Sequence, residues 1–273
     1  MDHPILIKLS EQDLHVPRGM TLYDLREEHK PGADVVILNG APVTENARLQ
    51  EGDSVVLIRR GEIPARHELE ALMASRHTPG VHERLKRATV GIAGAGGLGS
   101  AVAIALARTG VGTLVLADFD VVEPSNLNRQ QFFVDQIGLP KVEALAANLH
   151  RINPYVTIEP HLVKVTPENI AELFGGVDVM VEAFDRADQK AMLAESFSML
   201  FPEKTIVLAT GLAGHMPSNT IRTRKMGRSM VVVGDLVTAA QPGTGLMAPR
   251  VGVAAHHQAN AVLRLLLGED PEV

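Results

Sequence analysis

The chain has 273 residues and a formal net charge of −6, with 45% hydrophobic, 21% charged and 3% aromatic residues and no cysteine. That length allows one large or two modest folded domains. The acidic balance and scarce aromatics argue against nucleic acid as a partner, and a chain without cysteine can form no disulfide, thioester, persulfide or thiolate zinc site.

The start, Met1-Asp2-His3-Pro4, lacks the basic segment and apolar stretch of a signal peptide. No apolar run approaches the roughly 18 residues of a membrane span. The expectation is a cytoplasmic protein with no membrane partner. Residues 1–61 read as a small β-rich unit. Strands are predicted at 5–9 and 14–16, and Thr21 is placed to cap a helix through Leu22, Leu25 and Arg26. A strand at 35–38 turns at Asn39-Gly40, and the last strand, 54–58, follows a turn at Glu51-Gly52-Asp53. Hairpin, helix, then strands is a β-grasp order. Residues 62–87 read as a helical connector, with Leu69, Leu72 and Met73 at helical spacing and a second helix starting at Thr78-Pro79.

From residue 88 to the end, strand and helix alternate. Strands are predicted at 89–93, 113–117, 156–160, 177–182 and 205–210. Helices are predicted at 100–108, 140–151, 166–176, 188–200 and 249–266. This alternation predicts a Rossmann-like α/β domain, a mostly parallel sheet with helices on both faces.

Gly94-Ala95-Gly96-Gly97-Leu98-Gly99 follows a strand and opens a helix. Glycines there let the backbone approach a phosphate, and the helix N-terminus offers free N–H groups and partial positive charge. Asp118, at the end of the next strand, is placed to hold ribose hydroxyls. On these residues alone the loop fits NAD, another nucleotide, or only close helix–strand packing.

The following segment is long and polar: Asp118-Phe119-Asp120-Val121-Val122-Glu123-Pro124-Ser125-Asn126-Leu127-Asn128-Arg129-Gln130. It lies beyond a strand's carboxyl end, where open α/β sheets bind ligands. Asn126 and Arg129 have the reach and chemistry for phosphates. Lys141 opens the next helix, and Asp185 follows the strand at 177–182 and supplies an acid suited to Mg²⁺. Each also has a plainer reading, as solvated loop, turn closure, surface cation or helix cap. Their joint presence at successive strand ends favours a triphosphate over a dinucleotide. His256 and His257 are sequence neighbours on the last helix and cannot share a metal by helical spacing. The loop 211–219 fits either a cover for the site or a track for a partner's tail.

Taken together, the glycine loop, Asp118-x-Asp120, Ser125-Asn126-Leu127-x-Arg129-Gln130, Lys141, Asp185 and Gly245-Leu246-Met247-Ala248-Pro249-Arg250-Val251-Gly252 resemble the ThiF/MoeB/HesA family, relatives of ubiquitin-activating enzymes. The similarity is strongest to ThiF-type members carrying a fused ThiS-like N-terminal domain. The resemblance implies ATP-dependent adenylation of the C-terminal glycine carboxylate of a small β-grasp sulfur carrier ending in Gly-Gly, with release of pyrophosphate, in thiamine biosynthesis. The alternatives are a molybdopterin or tungstopterin carrier, or, from the loop and Asp118 alone, an NAD-linked oxidoreductase. It further implies that Gly94, Gly96, Gly97, Gly99, Asp118, Asp120, Asn126, Arg129 and Lys141 bind ATP, and that Arg76, Arg129, Lys141 and Asp185 are catalytic. Asp185 would hold Mg²⁺, and Arg76 would reach into a partner subunit's site, making a homodimer.

Two departures from the family stand out. Many relatives carry paired Cys-x-x-Cys zinc motifs and a catalytic cysteine. This chain has neither, so no zinc is expected, activation should stop at the acyl-adenylate, and a separate protein must donate sulfur. The carrier-like segment also runs on through Arg60-Gly61-Glu62 with no free Gly-Gly end. It is therefore expected to be a structural or docking module, not a substrate.

Overall fold

Alternate apolar positions along β1 (Ile5–Leu9) bury Ile5 and Ile7 on one face. β1 pairs antiparallel with β2 (Gln12–Val16), and the other strands are β3 (Val35–Leu38), β4 (Ala41–Val43) and β5 (Ser54–Ile58). The sheet order is β2-β1-β5-β3-β4, with β1 and β5 parallel at its centre. α1 (Leu22–His29) starts at the predicted cap. Thr21 Oγ1 accepts from Asp24 N, and the Asp24 carboxylate accepts from Thr21 N, so two orphan donors are satisfied reciprocally. Leu22 and Leu25 then join Ile7, Val55 and Leu57 in the core. This is the expected β-grasp arrangement. β4 was not anticipated, because three residues are too few to show a period.

The computed structural model describes residues 3–272, and the chain forms two units, Met1–Pro79 and Gly80–Val273. The boundary falls inside the predicted connector. α2 (Arg66–Ala74) belongs to the first unit, and α3 (Val81–Leu85) to the second, whose core takes Leu85. α3 does not begin at Thr78-Pro79. Gly80, with φ of +80°, stands immediately before it. In the first unit, Lys30 Nζ lies 3.6 Å from Glu62 and 3.4 Å from Glu68, and Ser10 donates to Glu68 at 3.2 Å. The segment leaving β5 is thus tied back to the β-grasp sheet.

The second unit carries seven strands: β6 (Thr89–Ala93), β7 (Thr113–Asp118), β8 (Thr157–Leu162), β9 (Val179–Glu182), β10 (Thr205–Ala209), β11 (Arg222–Lys225) and β12 (Met230–Gly234). Their order is β11-β12-β10-β9-β6-β7-β8, and every pairing is parallel except β11 with β12. Pro160 sits in β8, at the sheet edge, where a missing donor is tolerated. One face packs α4 (Gly97–Thr109), α5 (Lys141–Ile152) and α8 (Ala248–Leu266) through Val102, Leu106, Leu145, Leu149 and Val262. The other packs α6 (Ile170–Phe174) and α7 (Ala187–Leu200) through Phe174, Leu193 and Phe197. Each such fully buried side chain contributes about 1.5–3 kcal/mol. α6 begins four residues later than predicted, because Asn169 Oδ1 accepts from Thr166 N and closes a turn first.

From β6 the chain builds outward through β7 and β8, then returns to place β9 on β6's other side. Strand order therefore reverses between β6 and β9, which opens a crevice at their carboxyl ends. Among the described residues no helix is long and apolar enough to cross a membrane.

Candidate active site

The crevice has a volume of about 660 Å³ and is bounded by the glycine loop, the ends of β7, β9 and β10, and loop residues 211–213 and 238–240. The fold itself demands two of the loop glycines. Gly94 has φ of +97°, and a Cβ on Gly99 would lie 1.8 Å from Gly94 O. Gly97 is confined by Val251 at 3.1 Å. Gly96 is different: a Cβ there would meet nothing closer than Gln130 Nε2 at 3.8 Å, so its small size leaves open space in the crevice wall.

Asp118 closes β7 and accepts from Ala95 N at 2.7 Å and Asp120 N at 2.8 Å. Its carboxylate thereby locks the glycine loop to the adjoining strand and keeps lone pairs for hydroxyl donors. Burial raises its pKa against the lowering pull of those two N–H groups. Lys141, the first residue of α5, is buried and holds Asp120 Oδ2 at 2.8 Å. Arg129 lines the crevice, with Nη1 resting on Asn128 Oδ1 at 2.9 Å. Gln130 is buried in the same wall, and its Oε1 has no hydrogen-bond partner.

Asn126 departs from expectation. It is buried and is not among the lining residues. Its Oδ1 accepts from Glu123 N, and its carbonyl accepts from Arg129 N and Gln130 N. The side chain is used to close the turn that presents Arg129. Arg76 follows α2 in the first unit, whereas the crevice is lined by residues of the second.

Asp185 is exposed in the crevice beyond β9, with the Arg186 charge nearby, and among the described residues neither a hydrogen bond nor an ion pair engages its carboxylate. No group of three potential metal ligands occurs among the described residues. One free carboxylate fits Mg²⁺, which usually takes one or two carboxylates and completes its shell with phosphate oxygens and water. The two histidines have separate local partners, His257 with Thr223 Oγ1 and His256 with Gly252 O.

Sequence reasoning missed two buried pairs around the crevice. Glu182, the last residue of β9, holds Lys190 of α7 at 2.9 Å. A carboxylate ending the apolar run Val179-Met180-Val181 was the available signal, since a buried charge needs a partner. Burial raises the Glu182 pKa, and Lys190 pulls the other way. Arg250 of α8 is buried and donates to Met216 O, Pro217 O, Thr220 Oγ1 and Asp235 Oδ2. That guanidinium clasps the loop 211–219 to the loop after β12. The arrangement as a whole offers backbone N–H groups, the cations Arg129, Lys141, Lys164, Arg186 and Lys190, and the acid Asp185 around a single space. Such a set suits a phosphorylated ligand whose charge builds up during reaction.

The model of the "ThiF family" matches residues 70–273, and that of "ThiS-like ubiquitin" matches residues 5–61. The chain is 34% identical over 195 residues to the molybdopterin-synthase adenylyltransferase of Escherichia coli, covering 68% of this chain and 76% of that protein. It is 43% identical over 111 residues to the SAMP-activating enzyme E1 of Haloferax volcanii, and that match spans 40% of this chain and 41% of the archaeal enzyme. Among solved folds, E. coli tRNA N6-threonylcarbamoyladenosine dehydratase, in complex with AMP, superposes with a TM-score of 0.65 at 23% identity, over 72% of this chain and 92% of that one. The chain belongs to the ThiF family and carries a ThiS-like ubiquitin domain ahead of its Rossmann-like unit.

Proposed function

We propose that the second unit binds ATP with Mg²⁺ and adenylates the C-terminal glycine carboxylate of a small ubiquitin-like sulfur carrier, in thiamine biosynthesis. The observation that carries this reading is the convergence of the glycine loop, Asp118, Arg129, Lys141 and Asp185 on one crevice. N–H groups at the start of α4 take phosphate oxygens. Asp118 accepts from ribose hydroxyls, and Gly96 leaves room for the backbone to approach the ligand. Arg129 and Lys141 neutralise the triphosphate, with Lys141 held ready by Asp120. Mg²⁺ on Asp185 would add charge neutralisation between phosphate oxygens.

A carboxylate oxygen of the carrier attacks the α-phosphorus, and the bond from that phosphorus to the bridging oxygen of pyrophosphate breaks. The products are acyl-adenylate and pyrophosphate. No proton need move, so the protein's task is alignment and charge stabilisation. With no cysteine in the chain, no thiol can take the acyl group here, and a separate protein supplies the sulfur. Arg76 acts in the site of a second copy, which makes the working form a homodimer. The fused β-grasp unit serves structure or docking.

The similarity to a molybdopterin-synthase adenylyltransferase favours one second reading, a carrier of molybdopterin or tungstopterin synthesis. Pyrophosphate exchange with purified carriers ending in Gly-Gly separates the two. Exchange with the thiamine carrier is expected, and exchange only with the pterin carrier selects the second reading. Exchange with neither, or tight NAD binding in place of ATP, overturns adenylation.

A further inference from the structure

One ion pair at the crevice is left unused by the scheme above, and its lysine, Lys190, lines that space. Glu182 is fully buried, and its carboxylate holds Lys190 Nζ at 2.9 and 3.0 Å. Lys190 also donates to Ala209 O, at the end of β10, at 2.9 Å. The same carboxylate accepts from Phe184 N at 2.7 Å. Glu182's own carbonyl accepts from Gln258 of α8, which also reaches Val207 O. The residues fixed in this way are the immediate neighbours of Asp185 on one strand end and of Thr210 on the other.

The sheet cannot do this alone. Paired register between β9 and β10 ends at Val181 opposite Val207, and between β9 and β6 at Glu182 opposite Ala93. One further backbone bond, Ala183 N to Ala93 O, follows. The next amide, Phe184 N, finds its acceptor in the Glu182 side chain. Asp185 has no hydrogen bond of its own, so this backbone sets where its carboxylate stands. With Glu182 fully buried, the pair is an inefficient stabiliser even though Lys190 keeps 23% exposure, because replacing both partners with apolar groups is often neutral or better. Its geometry gives it another use.

We propose that Glu182 and Lys190 are positioning residues for Asp185, fixing the chain just past β9 so that the acid meets a nucleotide-bound Mg²⁺. The proposal rests on the role given to Asp185 under Proposed function.

The test is calorimetric titration of the full-length protein with ATP, once with Mg²⁺ and once with EDTA, alongside the melting temperature of the free protein. The ratio of the two affinities is the readout, and Asp185→Asn sets its floor. In the double variant Glu182→Leu/Lys190→Met, melting should stay near wild type and affinity in EDTA within about twofold, while the Mg²⁺-dependent gain falls about tenfold. Lys190→Arg should keep the gain. A double variant with an undiminished gain overturns the proposal, as does equal loss with and without Mg²⁺. Should the double variant not fold, Glu182→Gln decides: a reduced ratio supports the proposal and an unchanged one overturns it. A wild-type protein that binds no ATP at all refutes the nucleotide reading itself. ATP binding with a ratio untouched by Asp185→Asn removes the acid's metal role, and this proposal with it, and leaves the nucleotide reading standing.

Discussion

Replacing Lys141 with methionine separates its structural from its chemical contribution. Its ammonium lies 2.8 Å from Asp120, and the lysine side chain is 8% exposed against 50% for the aspartate. Removing one partner of a fully buried pair costs about 3–5 kcal/mol. Here the orphaned carboxylate already meets water, so the loss should be nearer 1 kcal/mol, as for exposed pairs. Methionine preserves the packing of the lysine stem. The same change removes a cation from the crevice, and one charge-stabilising donor is worth about 2–4 kcal/mol in the transition state. At about 1.4 kcal/mol per decade, that is roughly a 30- to 1,000-fold slower reaction. Urea unfolding measures the first quantity and pyrophosphate exchange with saturating carrier the second. A rate within about threefold of wild type, or an unfolding loss above about 3 kcal/mol, would refute the assignment of Lys141 to phosphate.

Arg129→Ala should slow exchange by a similar factor with a smaller stability change, because its guanidinium rests on exposed turn atoms; unimpaired exchange would count against it. Gly99→Ala should prevent folding, since its Cβ would stand 1.8 Å from Gly94 O, whereas Gly96→Ala should fold and bind ATP more weakly. Circular dichroism and ATP titration would expose the reverse pattern if the loop has been misread. Arg250→Ala should lower stability by about 1–3 kcal/mol, because it removes the donors that join the two loops while Asp235 keeps Val237 N, Thr238 N and Thr238 Oγ1; a urea midpoint close to wild type would show the clasp to be dispensable. The raised pKa of Asp118 means that folding favours its protonated form. The stability it contributes is complete below the ordinary value of 3.8 and is lost as pH rises through the higher folded value. Asp118→Asn should flatten that limb of the stability curve, and an unchanged slope there would contradict the burial argument.

What the sequence showed and what it hid divide by range. Gly94 to Gly99, Thr21 with Asp24, and Asn39-Gly40 act within a few residues, so their chemistry could be read directly. Asp118 was legible because a strand end fixes its place. Glu182 with Lys190, and Arg250 with Asp235, join different elements, and only the packed sheet brings them together. Asn126 fits both readings that its residue type allowed, phosphate ligand and turn closure; the bonds from Glu123 N to its Oδ1 and from Arg129 N to its carbonyl supply the second. β11 was hidden because Arg222-Thr223-Arg224-Lys225 carries no apolar period, and its edge position lets three of four residues be charged.

The β-grasp unit runs on from β5 into a segment held by Lys30 and thence into α2, so it is a carrier look-alike covalently joined to the unit proposed to act on carriers. A short tether confers an effective concentration in the millimolar range. Wherever the tether let it reach, any surface the look-alike shared with a free carrier would compete from within. Turnover then requires the two to differ where the enzyme reads them. Aligning residues 5–61 with the true carrier would turn that requirement into a map, since the positions of divergence mark the surface by which the substrate is chosen.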